Sequence, residues 1–153
     1  MTSRPARTPT IMLLGTALFS AVAGAVWLGQ DWLSGQDRSA QLALGRTRYA
    51  EHCAACHGAS LEGQPNWKER SPNDRMPAPP HDATGHTWHH ADSDLFLITK
   101  KGVEAVVPGY ESDMPAFEGV LTDEEIRAVL AYIKGTWPQR EREYQEAQNR
   151  SRQ

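Results

Sequence analysis

Two cysteines stand three positions apart with a histidine directly behind them, Cys53-Ala54-Ala55-Cys56-His57, and they are the only cysteines among 153 residues. C-x-x-C-H is the spacing of covalent haem attachment. Each thiol can add to one vinyl group on the same edge of the ring, while the next imidazole swings beneath it to bind iron. A redox dithiol would want a strand–helix–strand context, which is not found around the motif, and a zinc site would want further cysteines or spaced histidines. The motif predicts one haem c bonded through Cys53 and Cys56 with His57 as an axial ligand, and it leaves no thiol for a disulfide.

The rest of the chain needs that staple. Hydrophobic residues make up 39% of it and are unevenly spread, so the folded core is expected to be small. A covalently held macrocycle supplies apolar surface for short helices to pack on. The net charge is −3, and no block of lysine or arginine resembles a nucleic-acid footprint, so DNA and RNA are excluded as partners.

Five stretches are expected. Residues 1–10, with Arg4 and Arg7, read as a cytoplasmic n-region. The uncharged run 11–28 would span about 27 Å as a helix, close to a bilayer's hydrocarbon core. Trp27 and Trp32 sit where such a span would meet the far interface. An uncleaved transmembrane anchor is preferred over a cleaved signal, because the small-residue sites around Ala21–Ala25 fall inside the run. Residues 29–36 read as a linker, 37–138 as the haem domain, and 139–153 as a charged, solvated helical tail. This reading places the protein at a bacterial inner membrane with the haem domain on the periplasmic side.

Within the haem domain, Leu42, Gly45, Tyr49 and Cys53 recur at helical spacing, with Asp37 or Ser39 available as N-cap. Thr122-Asp123-Glu124-Glu125 is a capping box, followed by Ile126, Val129, Leu130, Ile133 and Trp137 on one stripe. Pro138 blocks simple continuation of that helix. Five prolines between Gly63 and Pro80 predict a loop, and Asp92 or Ser93 can cap a short helix ending near Gly102.

These pieces together resemble the class I cytochrome c family over about residues 37–138. The matching parts are Gly45 with Tyr49, Cys53-Ala54-Ala55-Cys56-His57-Gly58, Pro65 after a glycine, Asp113-Met114-Pro115-Ala116-Phe117, and Ala131-Tyr132-Ile133-Lys134. The resemblance implies an all-α, cytochrome c-like small helical domain around one covalent haem, here preceded by the N-terminal transmembrane helix. It implies that Gly45 and Tyr49 meet Val129 and Tyr132 where the first and last helices cross. It also implies that Met114 is the distal ligand and that the Pro65 carbonyl accepts from the His57 ring. Met76, in Arg75-Met76-Pro77, is the rival distal ligand, set apart by its polar, proline-rich loop.

His81, His86, His89 and His90 crowd ten positions around Trp88. They could hold a second metal; packing along the haem, with Trp88 or a histidine donating to a propionate, is the preferred account. The function expected is one-electron transfer between redox protein partners, themselves membrane-associated. Six-coordinate iron would leave no open position for a small-molecule substrate, so no enzyme activity is expected. A haem subunit of a larger oxidoreductase and a ligand-binding or peroxidase-like haem protein are the alternatives.

Overall fold

The computed structural model describes residues 35–152. The chain divides into two compact units, Met1–Ser39 and Ala40–Gln153. Of the first, residues 35–39 are described and are helical, so Asp37 and Ser39 lie within helix instead of capping one. The expected n-region, the apolar run 11–28 and residues 29–34 of the linker lie outside the described residues.

The elements of the second unit are α1 over residues 40–52, the short α2 (Ala54–His57), α3 (Asp92–Lys101), α4 (Asp123–Gly135) and α5 (Gln139–Ser151), with single 3-10 turns at Thr87–His89 and Val103–Ala105. Among the described residues no helix is long and apolar enough to cross a membrane. Even α4, with its long buried apolar stripe, includes Asp123, Glu124, Glu125, Arg127 and Lys134 among its thirteen residues. The expected placement at an inner membrane is therefore not upheld by this structure.

α4 starts as its sequence dictates. Thr122 Oγ1 accepts from the Glu125 amide, and the Glu125 carboxylate accepts from the Thr122 amide at 2.8 Å, so two otherwise orphaned donors are satisfied reciprocally. Its stripe of Ile126, Val129, Leu130 and Ile133 is buried, as is Trp137 beyond its end.

α1 and α4 touch backbone to backbone. A Cβ placed on Gly45 would lie 2.0 Å from the Ala128 carbonyl oxygen and 2.9 Å from Tyr132 Cβ, so only glycine permits this approach. One turn on, Tyr49 packs with Val129 and Ile133, and its ring meets that of Tyr132 at 5.5 Å. The Tyr49 hydroxyl donates to the Gly58 carbonyl at 2.9 Å, tying the helix crossing to the turn that follows the cysteine motif.

The C-terminal segment departs from expectation. It is helical, but it is docked: Gln145 is fully buried and Glu141 nearly so. The anchor is Asp92, at the start of α3. Its carboxylate accepts from Lys134 Nζ at 2.7 Å, Gln145 Nε2 at 2.6 Å and Asn149 Nδ2 at 2.9 Å, while its amide donates to Asn149 Oδ1 at 2.7 Å. Arg152 pairs with Asp94 at 2.9 Å. Asp92 thus serves as a hub between helices, and Ala91 holds the N-cap position instead.

Candidate haem site

The chain makes one turn after α1 and enters α2, which brings Cys53, Cys56 and His57 onto successive corners of the same short segment. The His57 amide bonds to the Cys53 carbonyl at 2.9 Å, and the Gly58 amide bonds to that of Ala54 at 3.0 Å. Gly58, at φ 83°, breaks the helix directly after the histidine. The two cysteines form no disulfide, and Cys53 is half-buried while Cys56 is exposed. Before haem is attached, burial, then the neighbouring Cys56, pushes the Cys53 thiol up to about 11.

His57 is buried, and its Nδ1 lies 2.8 Å from the carbonyl oxygen of Pro79. A carbonyl only accepts, so Nδ1 carries the proton and Nε2 keeps its lone pair. Burial lowers the pKa of the ring, and the bond to Pro79 opposes that shift in part. The partner is not Pro65, as the family pattern implied. The loop turns back on itself, with the Gln64 amide bonded to the Ala78 carbonyl at 2.9 Å and the Gly63 amide to that of His57 at 2.8 Å. This pairing brings Pro79, fourteen residues on, to the histidine.

Met114 sits in the loop between the second 3-10 turn and α4. It packs against the cluster of Leu95, Phe117, Leu121, Ile126 and Leu130, whereas Cys53 and Ala54 pack against Tyr49, Leu61, Val129, Ile133 and Trp137. The two sets of site residues therefore rest on separate halves of the core. Ser112 Oγ accepts from the Met114 amide at 3.1 Å, and the Phe117 amide is bonded to the Thr99 carbonyl at 3.1 Å, which anchors the loop to α3. A cleft of about 550 Å³ has Met114, Ala116, Tyr110 and Arg75 in its wall. Met76, the rival, is partly buried and adjoins Arg75, whose guanidinium bonds the Asp113 carboxylate.

The four histidines of the loop do not converge on one point, although the rings of His86 and His90 meet edge-on at 5.4 Å. His81 stacks on His57, His86 stacks on Trp67 at 5.4 Å, and His89 meets Trp88 edge-on at 3.8 Å. Among the described residues no three histidine, cysteine or acidic side chains are grouped to hold a metal ion. Two buried nitrogens, His86 Nδ1 and Trp88 Nε1, have no hydrogen-bond partner among those residues. Two cysteines not joined to each other, a histidine with Nε2 available, and the unpartnered Trp88 Nε1 on the cluster that also carries Cys53 fit a porphyrin with acidic substituents.

The model of the family described as cytochrome c matches residues 42–137. The chain belongs to the cytochrome c family. Cytochrome c6 of Tetradesmus obliquus is 34% identical over 98 residues, covering 62% of this chain and 90% of that protein. Cytochrome c6 of Chlorolobion braunii is 32% identical over 97 residues, 61% of this chain and 89% of that one. The cbb3-type cytochrome c oxidase subunit FixP of Bradyrhizobium sp. (strain ORS 278) is 31% identical over 91 residues, 60% of this chain but 26% of its own length. No solved structure matches the chain. This cytochrome carries haem c bonded to Cys53 and Cys56, and it transfers electrons. The two relatives matched along most of their length are both named cytochrome c6.

Proposed function

We infer that this cytochrome is a one-electron carrier between redox protein partners, its iron held by His57 Nε2 on one side and the Met114 sulfur on the other, with no substrate turned over. The observation that carries the reading is the bond from His57 Nδ1 to the Pro79 carbonyl. It fixes the tautomer that presents Nε2 to a metal, and a hydrogen-bonded imidazole is a more basic and better oriented ligand. The seating of the partly buried Met114 on a second apolar cluster supports it as the opposite ligand, since a thioether ligand favours ferrous iron and raises the potential. Held by these two residues, haem would supply reversible one-electron chemistry, and the protein supplies ligation, burial and contact surface. The test is the visible and near-infrared spectrum of the purified protein. A methionine-to-iron charge-transfer band that Met114→Ala abolishes is expected; a band untouched in that variant, or a high-spin ferric resting state in the parent, would reject the ligand set.

A second reading is favoured by the likeness to FixP, named as an oxidase subunit: the same electron-transfer domain working as a haem subunit within a larger complex. Isolation of this cytochrome from its native source under mild conditions distinguishes the two. Recovery in a stable stoichiometric complex with an oxidase supports the subunit, and recovery as a free protein supports the carrier.

A further inference from the structure

His81 lies flat against His57. The ring centroids are 3.9 Å apart and the planes differ by 19°, closer than the 4.5–7 Å common for aromatic pairs. The His81 residue is held from several directions at once. Its Nδ1 is 2.8 Å from Thr87 Oγ1, and Thr87 is itself buried. Its amide donates to the Leu61 carbonyl at 2.8 Å, its carbonyl accepts from Trp137 Nε1 at 2.7 Å, and the edge of Tyr49 approaches it at 6.2 Å.

The bond to Pro79 restrains the His57 ring through a single atom and leaves it a small residual rocking freedom. A parallel ring at van der Waals distance removes that freedom. The stack also has an electrostatic consequence, since iron oxidation adds positive charge to the metal and to its imidazole, and the face of a neutral aromatic ring attracts positive charge. Building on the ligand reading of His57, we propose that His81 is a positioning residue of the electron-transfer site. Its stacked ring sets the plane of the proximal imidazole and favours the ferric state.

The experiment compares His81→Leu, which removes the ring, with His81→Phe, which keeps an aromatic face, in protein confirmed by mass to retain haem. His81→Leu is expected to raise the midpoint potential so that the ferric-to-ferrous ratio at a fixed applied potential falls at least threefold, about 28 mV at 59 mV per tenfold for one electron. It is also expected to shift the largest g value of the ferric spectrum, with His81→Phe returning both toward the parent. Parent-like potential and g values in His81→Leu overturn the proposal, as does a His81→Phe variant indistinguishable from His81→Leu. Should His81→Leu fail to mature, Thr87→Val frees the ring without altering it, and a smaller change of the same sign is expected; no change in that variant overturns the proposal equally. Failure of the His57 reading would show elsewhere, as an iron spectrum without imidazole ligation in the parent protein.

Discussion

The guanidinium of Arg75 bonds the carboxylate of Asp113 across 38 residues of chain, four positions before the proline whose carbonyl receives His57. A second carboxylate, Glu111, lies 3.5 Å from the same guanidinium. Residues 75–79 therefore form a strap with one end on the Met114 loop and the other on the proximal histidine. Arg75→Gln is expected to loosen the loop. Solvent-exposed ion pairs are weak and screened by salt, so the ferric protein should bind added imidazole more tightly by no more than about fivefold, and the difference should shrink at high salt. A spectrophotometric imidazole titration at two ionic strengths checks this; equal affinities would refute the strap.

At the helix crossing, Gly45→Ala must push α1 away from Ala128 or distort α4, because backbone is the obstacle. A loss of about 3 kcal/mol in stability is expected, at the upper end for overpacking. Denaturant unfolding followed by far-ultraviolet circular dichroism measures it, and a variant as stable as the parent would contradict the close approach.

Asp92 couples stability to pH. Burial raises its pKa, but hydrogen bonds from Lys134, Gln145 and Asn149 together with the Lys134 charge outweigh burial and hold it below the ordinary 3.8. A carboxyl depressed in the folded state stabilises the fold above its ordinary pKa, and the contribution disappears as pH falls below it. The parent should lose stability more steeply than Asp92→Asn below about pH 4. At neutral pH the substitution should cost about 1 kcal/mol, since the half-exposed carboxylate is screened by solvent. Limited trypsin digestion should then cut more readily at Arg140 and Arg142.

Thr122→Ala removes one half of the capping box of α4 while leaving its buried stripe intact. A loss of about 1 kcal/mol is expected by denaturant titration. Thr122→Ser, which keeps a hydroxyl at the cap, should recover most of it.

What could be read from the chain alone depends on the range of the interaction. The cysteine motif, the capping box and the apolar stripe are local patterns, and each is where the sequence places it. The carbonyl partner of His57 is not legible in the same way, because a carbonyl leaves no mark in residue type and a loop with five prolines offers several; the pairing of Gln64 with Ala78 selects Pro79. The docked face of α5 is hidden for a different reason. Its inward residues are Glu141 and Gln145, so the signal is a polar network closed by Asp92 more than fifty residues away, and hydrophobic periodicity is blind to it. The stacking of His81 is likewise a product of chain return, since nothing near position 81 encodes a neighbour at position 57.

The indole of Trp137, at the corner between α4 and α5, holds the backbone of His81, whose ring presses on His57. Loosening of the C-terminal helix should thereby be felt at the chromophore. The colour of the haem should act as an optical strain gauge for a distant part of the molecule, registering disturbance there before the fold as a whole gives way.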